Sequence, residues 1–188
     1  MKINQHLSKC LVVTNYRTGS TNFCIDNAQT YKLDCEYEII NRYGLDNAIN
    51  SLQRRQNIIC KIMPDQFNFD TEQFAKMYKS VHQVVYLYRK DFKAQCLSWI
   101  AWNQSGNTSH RHGENKTFQI DCTQDQANEY ADTLIKNYDY IKSIYKQYPG
   151  TIYAYEDIQT GLPYNRNYIW SQSVDIPDYN TEWFEEAQ

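Results

Sequence analysis

Four short apolar runs punctuate the chain, at 10–13, 57–63, 81–88 and 151–155, and between them apolar residues recur at helical spacing. The runs are rich in Val, Ile, Leu and Tyr and have the length of strands buried on both faces. Between them the pattern predicts helices over 20–29, from Asp70 onward with Phe74, Met77 and Tyr78 on one face, and over 91–103 with Phe92, Cys96, Trp99 and Ile100. A shorter helical turn is expected at 48–55. The clearest helix is 123–148, where Thr123 and Gln126 have capping-box spacing and Pro149-Gly150 supplies the stop. Segment 31–43, YKLDCEYEIINRY, has no clean period and reads as a loop or short helix over the carboxyl edge of the sheet. Residues 104–117 are polar, hold Gly106 and Gly113, and read as a mobile loop, while the tail from Gly161 reads as irregular and aromatic. Strands alternating with helices imply an α/β fold with a parallel sheet, covered on both faces by right-handed crossovers.

Composition adds limits. The 188 residues suit one domain, 1–188, with 41% hydrophobic and 22% charged residues and a net charge of −3. No overall basic field points to nucleic acid, and no apolar run approaches the ~20 residues of a membrane-spanning helix. The N-terminus, MKINQHLSK, lacks the apolar core of a signal peptide. The six cysteines are scattered without CxxC pairs, and several fall inside apolar elements. They read as reduced and buried, in a cytoplasmic protein. Richness in Asn, Ile, Lys and Tyr fits an AT-rich genome such as a virus carries, in which case the location is host cytoplasm.

Candidate chemistry concentrates at 10–24, CLVVTNYRTGSTNFC. A buried strand feeds a turn containing Arg17, Thr18 and Gly19, then a helix start at Ser20, Thr21 and Asn22. Ser20 or Thr21 can cap the helix, and Gly19 lets the backbone turn close to a ligand. Unpaired N–H groups at a helix N-terminus, with Arg17 beside them, form an anion site. A plain structural turn fits the same residues. A Walker A loop does not, because the Gly-Lys it needs is absent.

YRTGST resembles the 5′-phosphosulfate loop of the sulfotransferases that use PAPS (3′-phosphoadenosine 5′-phosphosulfate), whose members read PRSGST or PKSGTT. Tyr16 stands where that family has proline. A second segment, VVYLYRKDFKAQCLSW, is similar to the family's 3′-phosphate motif, with Arg89 ending a strand and Ser98 on the next helix. The bacterial Stf0-type branch reads roughly RxDxxAQAxS there, and Arg89, Asp91, Ala94, Gln95 and Ser98 fall in place. CKIMPDQ resembles that branch's GVKLMW and puts Lys61 near the sulfuryl group; a strand-end Lys in solvent is the alternative. IYAYEDI looks like the family's VVRYEDL and reads as mainly structural. Two departures stand out. Met63 replaces the catalytic His of the cytosolic branch, and the C-terminal RKG segment has only Arg166 as a nearby candidate.

The resemblance implies a single-domain, P-loop-like three-layer sandwich with a central parallel sheet of about four strands. It implies transfer of a sulfuryl group from PAPS to a hydroxyl of a small-molecule or carbohydrate acceptor, with no metal. Arg17, Thr18, Gly19, Ser20, Thr21 and Asn22 would hold the 5′-phosphosulfate, and Arg89 and Ser98 the 3′-phosphate. Arg17 and Lys61 would offset charge in the reaction, and Glu36, followed by Tyr37 as in the Stf0-type PxEYF, would be the base, with Glu38 in reserve. Aromatic residues of 31–43 and the loop after Gln104 would line the acceptor pocket. His110 and His112 form an H-x-H pair without further metal-ligand spacing. Nucleic acid and membrane are not expected partners, and a homodimer stays open. The competing readings are a non-catalytic nucleotide-binding or accessory protein with the same fold, and a phosphate-loop phosphotransferase.

Overall fold

In the computed structural model, residues 8–104, 116–158 and 166–187 are described. The expected strands form at Lys9–Thr14 (β1), Ile58–Ile62 (β3), Gln83–Tyr88 (β4) and Thr151–Ala154 (β6). A fifth, Asp34–Tyr37 (β2), lies in the segment expected to be a loop or short helix. The five make one parallel sheet in the order β2-β3-β1-β4-β6, so the sheet has one strand more than expected. β2 escaped the pattern because it is a sheet edge: its residues are half-buried or exposed, so no apolar run marks it. Behind β2 follow Ile39–Tyr43 (α2) and Leu45–Arg54 (α3).

β1 is buried along its whole length, and alternation sends its side chains to two different cores. Cys10 and Val12, with Ile59, Val85 and Leu87, meet Phe23, Cys24 and Ala28 of the helix Ser20–Tyr31 (α1). Among the described residues α1 is the only helix on that face. Leu11 and Val13, with Ile58, Cys60, Ile62, Tyr86 and Tyr88, belong to the larger core on the other face. That core holds α2, α3, Thr71–Lys79 (α4), Phe92–Gln104 (α5) and Gln124–Tyr145 (α6). The architecture is an α/β sheet with helices on both faces.

Local signals hold where they were strongest. The Asp70 carboxylate accepts from the Glu72 and Gln73 N–H groups, and Thr123 and Gln126 close a reciprocal capping box on α6. α6 ends at Tyr145, short of the expected stop at Pro149-Gly150, and Gly150 serves a tertiary contact instead. A Cβ there would sit 2.5 Å from the Val84 carbonyl oxygen, so β6 enters the sheet tightly against β4.

The tail differs from expectation. Lys116–Ile120 (β5) and Arg166–Trp170 (β7) pair in parallel as a separate two-stranded sheet, and Glu182–Glu186 (α7) packs Phe184 flat on Tyr88 at 4.8 Å. No local pattern announces a pairing between strands so far apart in sequence. The expected loop lies largely outside the described residues, as do His110 and His112. Among the described residues, no helix is long and apolar enough to cross a membrane, and no three His, Cys, Asp or Glu side chains converge as a metal site.

All six thiols are free, and only Cys35 is not fully buried. Burial pushes Cys10 and Cys96 up to about 12, and raises Cys24, Cys60 and Cys122 as well. Thiolate is the reactive form, so native protein at pH 8 should label with a thiol reagent at Cys35 alone. Even that reaction should be slow, because burial raises Cys35 too, with Glu36 adding to it. Rapid labelling of two or more thiols before unfolding would contradict this packing.

Candidate functional site

β1 delivers its carboxyl end toward α1, whereas β3 and β4 on either side of it exit toward the opposite face. Loops diverging from neighbouring parallel strands leave a crevice there, which is where ligands of open α/β sheets sit. A cavity of about 310 Å³ fills this crevice. It is lined by the turn after β1, by Lys61 and Met63 at the end of β3, by Arg89 after β4 and by Ser98 and Trp102 of α5; Glu38 and Tyr155 complete it.

The turn has two residues in the left-handed region, Arg17 (φ 59°) and Gly19 (φ 68°). Glycine takes this conformation without a Cβ clash, whereas arginine does so at a cost that the surrounding structure must hold. Gly19 is the cap of α1, and its carbonyl accepts from the Phe23 N–H. Neither Ser20 nor Thr21 caps the helix, contrary to expectation: Ser20 is already its first residue. The N–H groups of Ser20, Thr21 and Asn22 therefore have no acceptor within the helix, and these residues line the cavity.

Buried polar contacts hold the turn in this shape. The Tyr16 N–H and the Asn137 side-chain amide both donate to Asn15 Oδ1, and Asn15 Nδ2 donates to the Leu134 carbonyl of α6. Thr18 Oγ1 donates to the Asn15 carbonyl and is hydrogen-bonded to Thr14 Oγ1. The Thr18 side chain is thus buried inside the turn and does not line the cavity. Tyr16 is fixed by tertiary contacts. Its hydroxyl donates to Asp65 at 2.5 Å, its ring stacks on Trp99 at 4.3 Å, and its carbonyl accepts from Gln95.

Arg17, Lys61 and Arg89 bring positive charge to the cavity, and Glu38 is its one carboxylate among the described residues. Arg17 Nε donates to Ser98 Oγ at 3.2 Å, tying the turn after β1 to α5. Lys61 is almost buried; its ammonium donates to Thr21 Oγ1 at 3.0 Å and pairs with Glu38 at 3.2 Å. The Arg89 N–H donates to the Tyr138 hydroxyl, which donates in turn to Gln95 Oε1. One side chain of α6 thereby sets the end of β4.

No family model matches the chain, and no curated protein matches it.

Of the residues singled out in the sequence, Arg17, Gly19, Ser20, Thr21, Asn22, Lys61, Arg89 and Ser98 share the cavity. Glu36 does not. It pairs with Arg42 at 3.2 Å and Arg55 at 2.9 Å. The cause is strand alternation: Tyr37 is in register with Lys61, whereas Glu36 is in register with Cys60, whose side chain enters the opposite core. Glu38, two residues on, turns through the left-handed region (φ 59°) and reaches Lys61. The carboxylate expected beside Lys61 is therefore Glu38 and not Glu36.

Tyr37 and Tyr43, expected around an acceptor, are exposed and stand off the cavity, flanking Arg42. Sequence reasoning also missed Trp102 and Tyr155. Trp102 lies one helical turn beyond Ser98 on α5 and could have been found from that spacing. Tyr155 belongs to the segment read as mainly structural.

Proposed function

We propose that the chain is a sulfotransferase of P-loop-like fold, moving a sulfuryl group from PAPS to a hydroxyl of a small-molecule or carbohydrate acceptor. One observation carries this reading: Arg17, residues 19–22, Lys61, Arg89 and Ser98, drawn from four separate parts of the chain, converge on one cationic cavity at the carboxyl edge of the sheet. The α1 N-terminus offers its unpaired N–H groups to the 5′-phosphosulfate, with Arg17 beside them. Arg89 and Ser98 receive the 3′-phosphate.

Glu38 accepts the proton of the acceptor hydroxyl. The acceptor oxygen bonds to sulfur while the bond from sulfur to the oxygen shared with the 5′-phosphate breaks, and its electron pair leaves on that oxygen. Lys61, Arg17 and the helix N–H groups face the charge that develops there. Lys61 lies between Thr21 of the anion loop and Glu38, so one cation spans the leaving group and the base. The left-handed backbone of Glu38, off the favoured regions for such a residue, suits a position held for function.

Nucleotide binding tests the reading directly. PAP, the desulfated product, should raise the melting temperature, and ATP with Mg²⁺ should do so far less. At ~100 times its Kd a ligand stabilises by about 2.7 kcal/mol, well within reach of a thermal melt. Arg89→Ala should weaken PAP by about 1.5–3 kcal/mol and leave adenosine 5′-phosphosulfate, which lacks the 3′-phosphate, nearly unchanged. Equal shifts from PAP and ATP would remove the specific claim. PAP binding without turnover across an acceptor screen using labelled PAPS would favour the non-catalytic alternative.

A further inference from the structure

The 3-10 turn Tyr155–Asp157 that ends β6 grips the segment 89–91 residue by residue. The Arg89 guanidinium lies 4.9 Å from the centre of the Tyr155 ring. Glu156 accepts from the Lys90 N–H at 3.0 Å and the Asp91 N–H at 3.3 Å, and its Oε1 lies 3.7 Å from Arg89 Nε. Asp157 pairs with the Lys90 ammonium at 3.4 Å, drawing that side chain toward Glu185 of α7. Arg89 Nε is buried and has no hydrogen-bond partner, so the Glu156 carboxylate is the acceptor it faces. The two terminal nitrogens of the guanidinium have no hydrogen-bond partner among the described residues, and Arg89 lines the cavity.

We infer that Tyr155 and Glu156 are positioning residues that hold the Arg89 fork toward a phosphate on the ribose, and so set the preference for a 3′-phosphorylated nucleotide. The inference rests on the nucleotide reading of the cavity. A guanidinium offers an oxyanion two edges, one at Nε with a terminal nitrogen and one at its two terminal nitrogens. Glu156 engages the first edge and Tyr155 supports the flat face, leaving the second edge for ligand. The Glu156 charge is itself answered by two backbone N–H groups just ahead of α5, which limits its repulsion of an incoming phosphate. An arginine already held in place does not have to be ordered when ligand arrives.

The test is calorimetric titration of adenosine 3′,5′-bisphosphate and AMP into wild type, Glu156→Gln, Glu156→Ala, Tyr155→Phe and Tyr155→Leu. Each protein is first checked for a cooperative melt. Holding one flexible side chain in advance is worth about three- to tenfold in affinity. The ratio of bisphosphate to AMP affinity should fall by that factor in Glu156→Ala and Tyr155→Leu. In Glu156→Ala, a change outside the cavity lining, AMP affinity itself should stay within about twofold, and Tyr155→Phe, which keeps the ring face, should retain the wild-type ratio. Glu156→Gln keeps an acceptor for the backbone N–H groups but loses the charge facing Arg89, so its ratio should fall as well. A residue that only supports the fold would lower the melting temperature and leave the ratio alone, which would overturn the inference; so would tighter bisphosphate binding in Glu156→Ala. If Glu156→Ala does not fold, Tyr155→Leu against Tyr155→Phe decides. A wild-type ratio near one would instead bring down the nucleotide reading, and this inference with it.

Discussion

Glu38→Gln should lower kcat by roughly 10²–10⁴-fold while PAP still binds, because the amide keeps the size of the side chain but cannot take a proton. The geometry behind this is the contact of Glu38 with Lys61 at 3.2 Å, in a cavity where no other described carboxylate is present. Glu36→Gln is the matched control. It removes the charge that pairs with Arg42 and Arg55 at the sheet edge, outside the cavity, and turnover should persist. Single-turnover rates with PAPS and an accepted hydroxyl compound would read both variants. If Glu36→Gln abolishes turnover and Glu38→Gln does not, the assignment of the base is wrong. If both turn over normally, proton removal depends on neither carboxylate.

Tyr138→Phe should cost about 1–3 kcal/mol for each of the two groups it leaves unpaired. These are the Arg89 N–H, which donates to the tyrosine hydroxyl at 3.0 Å, and Gln95 Oε1, which accepts from it at 2.7 Å. Both lie at a fully buried side chain, where water offers little compensation. Urea unfolding should show a lower midpoint at unchanged slope, since the same surface is exposed on unfolding. The loss should reach the site as well, because Gln95 holds the Tyr16 carbonyl and Arg89 lines the cavity.

Burial drives the Tyr138 phenol well above its ordinary range. The folded protein therefore keeps a proton that an unfolded tyrosine loses near pH 10, and this stabilisation is complete below that pH and declines as pH rises through the folded value. A Tyr138→Phe variant as stable as wild type at pH 7 would mean that the network does not link α6 to the end of β4.

Much of the candidate site was legible because its chemistry is local. Arg17 to Asn22 are contiguous and sit where a strand becomes a helix, so the free N–H groups follow from the change of period. Arg89 and Ser98 occupy a strand end and the following helix in the same way. Side-chain direction was legible only where period and burial agreed. β1, β3, β4 and β6 have apolar residues on both faces and announce themselves, whereas β2, an edge strand of four residues, does not. Without that strand nothing set Glu36 on the face away from Lys61, or showed the left-handed turn at Glu38 that brings its carboxylate to that lysine. The same limit explains Thr18, a loop hydroxyl by sequence and a buried brace of the turn by structure.

What the sequence determined by itself is the order of the four central strands and of α1, α3, α4, α5 and α6, the caps at Asp70 and Thr123, and a helix start directly after the turn that follows β1. Those depend on neighbours within a few residues, where propensity, capping and period act. Only the tertiary structure decided which carboxylate meets Lys61, how the turn after β1 is held around Tyr16, and what holds Arg89. Each of these rests on a contact between residues far apart in the chain: Glu38 with Lys61, Tyr16 with Asp65 and Trp99, and Arg89 with Tyr155 and Glu156. Strand register and the packing of α6 across the sheet set those contacts, and no local run of residues encodes either.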